Sequence, residues 1–210
     1  MSPLPRQMIN RWQNRAEPGP GQGTIYWHIL LGDQPEARNA AHAAQKRLAN
    51  FSGLHMPPAD WLHITTLVVG PTDEIATEQQ QDMLAAASEL LAELPPVDIT
   101  LDRILYHPEA IAVEVQPVGP LRNIRKAIQT ATLKATGRKG DTEGPAQWTP
   151  HMTLAYSETE QPAEPLITAL GRELPTHEFT INAVTLVAQQ GPERLWDWHP
   201  LGRAPLLGYQ

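Results

Sequence analysis

Prolines limit the length of every regular element that this chain can form. The 210 residues contain 21 prolines and 14 glycines, and they recur at the ends of the apolar segments. Proline lacks a backbone N–H and is excluded from helix interiors and central strands, so frequent prolines favour many short elements over a long helical bundle. The chain is therefore predicted to fold into short strands and helices joined by turns.

Strands and helices alternate along most of the sequence. Segments rich in β-branched and aromatic residues predict strands at 24–31, 61–69, 97–106, 110–116, 150–156, 179–189 and 195–199. Ala- and Leu-rich segments between capping and breaking residues predict helices at 36–50, 72–94, 121–136 and 165–174. Because hairpins interrupt the β-α-β rhythm, we expect an α+β fold with antiparallel sheets. Helix, strand, helix and hairpin occur twice, at 36–116 and 121–199.

The first 23 residues are predicted to be a flexible arm outside a single domain that spans 24–210. They contain no apolar segment and finish in a Pro/Gly cluster, so they resemble neither a signal peptide nor a membrane anchor. The longest apolar segment, at 25–31, is far shorter than the roughly 20 residues of a membrane-spanning helix. We therefore expect a cytoplasmic protein with no membrane partner.

Composition limits the kinds of functional site that the chain can contain. The chain has no cysteine, which excludes disulfides, thiolate metal sites and cysteine nucleophiles. It has 16 Lys and Arg against 23 Asp and Glu, a net charge of −7. Such a chain is poorly suited to wrapping a long nucleic acid, which needs many cationic contacts, although it can bind a nucleotide or a chain end. The eight histidines are the remaining source of reactive side chains.

Two of these histidines share a pattern that the other six lack. Only His63 and His151 are followed, two residues later, by a hydroxyl residue, Thr65 and Thr153. Side chains at i and i+2 of a strand project from the same face, so each pair can reach two oxygens of one phosphoryl group. Imidazoles titrate near pH 6.5, which suits one as general base and the other as general acid without a metal. Two half-buried strand histidines with ordinary hydrogen bonds would give the same pattern.

The segments WLHIT at 61–65 and PHMTL at 150–154 resemble the paired motifs of the two-histidine (2H) phosphoesterase superfamily. Within it, the chain is most similar to the bacterial 2′-5′ RNA ligase-like group, whose members act as RNA 2′,3′-cyclic phosphodiesterases. The resemblance covers most of residues 24–202. It implies two pseudo-symmetric lobes, each an antiparallel sheet backed by helices, with the active-site cleft between them. Thr66 and the N-terminal arm depart from the group's pattern.

The resemblance implies that His63 and His151 are the acid–base pair and that Thr65 and Thr153 bind phosphate. It implies hydrolysis of 2′,3′-cyclic phosphates on nucleotides or RNA ends, with 2′-5′ ligation as the reverse reaction, and neither cofactor nor metal. The expected partner is a small nucleotide or RNA terminus bound to a monomer. Two alternatives are a non-catalytic nucleotide or RNA-end binding module and a phosphodiesterase for another small cyclic phosphate.

Further candidate substrate contacts lie outside the motifs. Tyr26 and His28 share one face of the first strand, and Arg138 and Lys139 lie in the loop before the second motif. Packing is the simplest interpretation of three other aromatic residues: Trp196 and Trp198, which alternate near the end of the chain, and Tyr156, which is out of phase with His151 and Thr153.

Overall fold

Eleven strands and four helices make up the regular structure of the described part of the chain. The computed structural model describes residues 4–13, 15, 17–19, 21–140 and 148–208. Its strands are β1 (Gln7–Met8), β2 (Gly23–Leu30), β3 (Leu54–His55), β4 (His63–Pro71), β5 (Val97–His107), β6 (Ala110–Gln116), β7 (His151–Ser157), β8 (Gln161–Pro162), β9 (Glu173–Ile181), β10 (Ala183–Gln190) and β11 (Trp198–Pro205). Its helices are α1 (Pro35–Leu48), α2 (Thr77–Ala92), α3 (Val118–Thr136) and α4 (Glu164–Leu170).

Two antiparallel sheets form the two lobes of the molecule. One sheet has four strands in the order β11-β10-β2-β4, and the other has five in the order β3-β7-β6-β5-β9. Helices α2 and α3 pack together and cover the four-stranded sheet, while α1 and α4 pack together and α1 lies on β7 and β9. The predicted α+β fold, with antiparallel sheets backed by helices, is confirmed.

The helices cover the sheets because each has a continuous apolar face. In α3, Leu121, Ile124 and Ile128 recur at helical spacing and are all buried. The helix ends at Gly137, whose φ of 71° is the left-handed conformation that glycine adopts without a steric penalty. The motif strands contribute the opposite side of the core through Ile64 and its counterpart Met152, both fully buried.

The lobes are not the two halves of the chain. The repeat at 36–116 and 121–199 does not divide the chain into lobes, because α1 lies on the five-stranded sheet and α2 on the four-stranded sheet. Strands β10 and β11, from the end of the chain, complete the sheet that β2 and β4 begin. The order of helices and strands along the sequence does not determine which sheet each strand joins, because an antiparallel sheet can include strands from distant segments.

The prediction was also wrong for the last strands. The segment 179–189, predicted as one strand, belongs to β9 and β10, which lie in different sheets on either side of Asn182. Strand β9 is an edge strand that contains Pro175, a residue that edge strands tolerate. The segment 195–199 starts in a 3₁₀ turn, Glu193–Leu195, and β11 begins only at Trp198. Helix α4 likewise ends at Leu170 rather than at residue 174.

Residues 7–12 pack against the five-stranded lobe, where the sequence suggested a loose arm. Strand β1 pairs with β8, and Met8 is fully buried. The backbone N–H of Arg11 donates to the carbonyl of Ser157 at the end of β7, and that of Ile9 donates to Pro108. A single buried methionine and backbone hydrogen bonds leave no periodic pattern in a sequence. The division of the chain at residue 23 stays a prediction.

Candidate active site

The two motif histidines are held in the same way by their own backbone. His63 and His151 are each the first residue of a strand. The Nδ1–H of His63 donates to the carbonyl of Trp61 at 2.7 Å, and that of His151 donates to the carbonyl of Thr149 at 2.8 Å. Because a carbonyl only accepts, each ring carries its proton on Nδ1 when neutral, and its basic nitrogen is then Nε2. In both rings Nε2 is therefore the nitrogen that the backbone leaves unprotonated when the imidazole is neutral.

Each motif threonine lies on the same face of its strand as the histidine. Thr65 and Thr153 are half-buried, like the histidines, while the residues between them are in the core. Directly after each threonine the pairing register slips by one residue, opposite Trp27 and His28 in one sheet and opposite Ile111 and Ala112 in the other. Both motifs therefore end in a β-bulge, a feature that bends the strand and re-aims the following side chains.

The bulges explain the orientations of two side chains that the sequence did not settle. At the first, the hydroxyl of Thr66 donates to the carbonyl of Trp27 at 2.6 Å and is buried. At the second, the extra residue brings Tyr156 opposite Ala110, on the face that carries Thr153. The prediction that Tyr156 is out of phase with the motif was therefore wrong, although its side chain is buried as expected.

The two motif strands lie against each other although they belong to different sheets. Trp148, three residues before His151, donates its indole N–H to the carbonyl of Thr65 at 3.1 Å. Arg125 of α3 donates to the carbonyl of Thr66, at 3.1 Å, and its guanidinium lies 5.4 Å from the centre of the Trp148 ring. Burial lowers the pKa of Arg125. These contacts connect the approach to the second motif with the backbone of the first.

Tyr26 and His28 lie beside the first motif, and their role as substrate contacts stays a prediction. The rings of Tyr26, His28, His63 and Trp198 form an aromatic stack, in which the His28 ring lies 4.3 Å from that of His63, 5.1 Å from Tyr26 and 5.2 Å from Trp198. His28 is only 3% exposed. Burial, and then the neighbouring His63, lower the pKa of His28 well below 6.5 despite an opposing backbone hydrogen bond at Trp27. A buried neutral His28 supports the His63 ring rather than facing solvent.

Arg138 is placed away from the motifs. The guanidinium of Arg138 lies beside Gly70 and forms an ion pair with Glu74. Gly70 is seven residues beyond His63 on β4, roughly 20 Å at the rise of a strand. Lys139 is exposed next to Arg138. The structure places Tyr26 and His28 beside His63 and sets the two motif strands against each other, and it does not bring Arg138 to the motifs.

Sequence reasoning missed a group of aromatic residues that joins the lobes beside His63. Trp196, with a φ of 53°, is buried; its ring lies 5.8 Å from His55, and its indole N–H donates to the His55 Nε2 at 3.0 Å. It also lies 6.1 Å from Tyr156 and 6.2 Å from His63. Trp12, before β2, packs on His55 and Tyr156. Two tryptophans close together near the end of the chain, Trp196 and Trp198, were a sign of this group in the sequence. Their alternation could not show which lobe each ring contacts.

A cavity of about 350 Å³, here called the arginine pocket, opens beside the second motif. His151, Thr153 and Tyr156 line it together with Tyr106 of β5. Four arginines also line it: Arg11, Arg15, Arg103 and Arg172. None of them was predicted as a site residue, because they come from three separate parts of the sequence.

The described residues offer neither a cluster of metal-ligating side chains nor a helix suited to crossing a membrane. No group of three His, Asp or Glu side chains within them could hold a metal ion. In the same part of the chain, no helix has the length and apolar character that crossing a membrane requires.

Known proteins resemble the chain in sequence pattern and in fold. A family model described as the 2′-5′ RNA ligase superfamily matches residues 33–193. TT0787 of Thermus thermophilus has a crystal structure 19% identical in sequence, with a TM-score of 0.66 over 89% of this chain and 100% of that one. E. coli LigT complexed with 3′-AMP is 17% identical, with a TM-score of 0.63 over 88% and 98%.

The MHV ns2 PDE domain is 16% identical to the chain, with a TM-score of 0.57 over 79% of this chain and 98% of that domain. At such identities the three structures show that the fold is shared. No curated protein sequence matches the chain.

Proposed function

Because this chain belongs to the 2′-5′ RNA ligase superfamily, we propose that it hydrolyses 2′,3′-cyclic phosphates of nucleotides or RNA ends by acid–base catalysis with His63 and His151. The observation that carries the proposal is the matched anchoring of the two rings, each with Nδ1–H on a carbonyl two residues upstream. This anchoring leaves the same nitrogen of each ring, Nε2, available for proton transfer, which supports paired roles for the two histidines.

The proposed reaction uses one ring in each protonation state. The neutral imidazole accepts a proton from water at Nε2 as the water oxygen forms a bond to phosphorus. The bond between phosphorus and one ribose oxygen breaks, and the second, protonated imidazole gives that oxygen its Nε2 proton. The hydroxyls of Thr65 and Thr153 donate to the non-bridging oxygens, where negative charge accumulates. Proton transfers of this kind contribute about 10²–10⁴ in rate each.

Similar proteins support the substrate class. E. coli LigT has been solved in complex with 3′-AMP, with ATP and with phosphate, and one similar protein is described as a PDE domain. Each of these small ligands contains the phosphoryl group that the paired motifs would bind. A nucleotide or a chain end also suits an acidic chain better than a long nucleic acid.

The proposal is tested with 2′,3′-cyclic AMP and the single variants His63→Ala and His151→Ala. Each should lower kcat by at least about 10²-fold, because each removes one proton-transfer group. His42→Ala, which removes an exposed histidine of α1, is the matched control and should retain wild-type turnover. Circular dichroism of each variant reports whether the fold is intact.

Retained turnover in either motif variant would contradict the mechanism, and so would loss of wild-type activity in EDTA, since the proposed reaction involves no metal. Binding of the cyclic nucleotide without product would instead favour a non-catalytic binding module.

A further inference from the structure

The arginine pocket is large and enclosed enough to hold part of a substrate. Its volume of about 350 Å³ lies within the range of small-molecule sites. Strands β5, β6 and β7 form its floor, and the segment before β2 contributes a wall that includes Arg11 and Arg15. The family model starts at residue 33, so this wall lies outside the part of the chain that matches the family.

The charge of the pocket is opposite to that of the whole chain. Four arginines and one glutamate, Glu109, line it, whereas the chain has a net charge of −7. A local excess of arginine in a cavity beside a phosphate-binding motif concentrates positive potential there and favours an anionic ligand.

One arginine has a structural role. Arg11 is only 5% exposed, and it forms ion pairs with Glu193 at 3.1 Å and with Glu109 at 3.5 Å. Its guanidinium also lies 4.5 Å from the centre of the Tyr156 ring. A buried cation with two carboxylates and a ring around it fixes the segment before β2 in place, and its charge is already balanced.

The other three arginines can reach a ligand. Arg15 and Arg103 are nearly half-exposed, and each shares its charge with one carboxylate, Glu109 at 2.8 Å and Glu114 at 3.2 Å respectively. Arg172 is exposed and forms no ion pair with any residue that the structure describes. Its planar guanidinium therefore keeps its donors for a phosphate, which arginine binds with two parallel hydrogen bonds.

Tyr106, which interacts electrostatically with Arg172, is a phenol that stays neutral. Tyr106 donates its hydroxyl to the carbonyl of Gly171 at 2.5 Å. Burial raises the pKa of Tyr106 to about 12, although the charge of Arg172 opposes the rise. At neutral pH, Tyr106 adds no negative charge that would neutralise Arg172.

We infer that the arginine pocket binds a second phosphate of the substrate, beside the one that reacts between the histidines. This inference rests on the proposed function, because it places the reacting phosphate at His151 and Thr153. The substrate class is then a nucleotide that carries a further phosphate ester. That ester is either the phosphodiester of an RNA end or the 5′-phosphate of a small nucleotide.

Binding of product analogues tests the inference without requiring turnover. Isothermal titration of the full chain compares adenosine 3′-phosphate with adenosine 3′,5′-bisphosphate and with the dinucleotide ApAp. We expect one or both ligands with the extra phosphate to bind roughly tenfold tighter or more, as for charge-assisted hydrogen bonds. A gain for the bisphosphate alone indicates a 5′-phosphate as the source, and a gain for ApAp indicates an RNA end.

Substitution of Arg172 tests whether the arginine pocket is the source of the gain in affinity from the extra phosphate. Arg172→Gln should reduce the preference for the extra phosphate to less than about threefold, since it removes the donors that the pocket keeps unpaired. Arg122→Gln, at an exposed position of α3, removes the same charge elsewhere and should keep the preference. Equal affinity of the wild-type chain for all three ligands, or an unchanged preference in Arg172→Gln, would overturn the inference. Because affinity is measured, failure of the cyclic nucleotide to react would count against the proposed function only.

Discussion

Replacement of His28 by phenylalanine tests the electrostatics of the aromatic stack around the first motif. His28 is 3% exposed, and the groups that face it are the rings of Tyr26 on its own strand, His63 on β4 and Trp198 on β11. Phenylalanine keeps an aromatic ring at this position and removes the titratable nitrogens. The variant therefore separates the packing of the stack from its charge.

The size of the expected change in the free energy of unfolding follows from the lowered pKa of His28. The folded chain keeps His28 neutral, because burial and His63 hold its pKa well below 6.5, while the unfolded chain protonates it near 6.5. As the pH falls through 6.5, the unfolded state binds the additional proton, so the free energy of unfolding decreases. Between about pH 7.5 and 5.5 this one group costs the wild-type chain on the order of 1 kcal/mol. Above pH 7.5 it has almost no effect.

Urea denaturation at both pH values measures the difference. In His28→Phe, the loss of stability between about pH 7.5 and 5.5 should be smaller than in the wild type by on the order of 1 kcal/mol. His42→Phe, at an exposed position of α1, is the control and should lose as much stability as the wild type. An identical loss in His28→Phe and wild type would refute the reasoning, because His28 would then titrate alike in both states.

Two further predictions concern the motifs and their support. Thr65→Val and Thr153→Val keep the side-chain shape and remove the hydroxyl, so each should lower kcat/KM for 2′,3′-cyclic AMP by roughly 10²-fold in steady-state kinetics; wild-type values would contradict a phosphate-binding role. Gly32→Ala would bring its Cβ to 2.3 Å from the carbonyl oxygen of Asp60, in the turn before the first motif, and should cost about 1–3 kcal/mol in urea denaturation. Gly119→Ala, with open space around it, should gain up to about 1 kcal/mol, and equal effects of the two alanines would show that the contact is not decisive.

Local pattern was sufficient to locate most elements. The strands that carry His63 and His151 lie where their β-branched and apolar residues predicted them, because a half-buried strand imposes a period of two on its own sequence. The assignment of strands to sheets was not predictable in this way. Asn182 is the one residue of 179–189 that strands clearly disfavour, and a single such residue does not show that the chain passes from one sheet to the other, since both flanking segments favour strand structure.

The positions of the residues around the motifs could not be predicted from the two-residue periodicity of the strands. One inserted residue after Thr153 changed the face of Tyr156, and a bulge of this kind carries no distinct residue type. The arginine pocket joins Arg11 and Arg172, which are 161 positions apart, through pairing of short strands with little sequence signal. Arg138 looked promising because it precedes the second motif, but its contact with Glu74 is set by the tertiary fold.

The carbonyls that orient the two histidines have a consequence for how the protein tolerates mutation. Trp61 and Thr149 have unlike side chains, yet each presents the same acceptor to an imidazole. A carboxylate in this role would be lost with a single substitution, whereas every amino acid supplies a carbonyl. Ring orientation should therefore survive most replacements at positions 61 and 149 and fail only when the path of the main chain itself changes. A search for inactivating substitutions would miss these two anchors entirely.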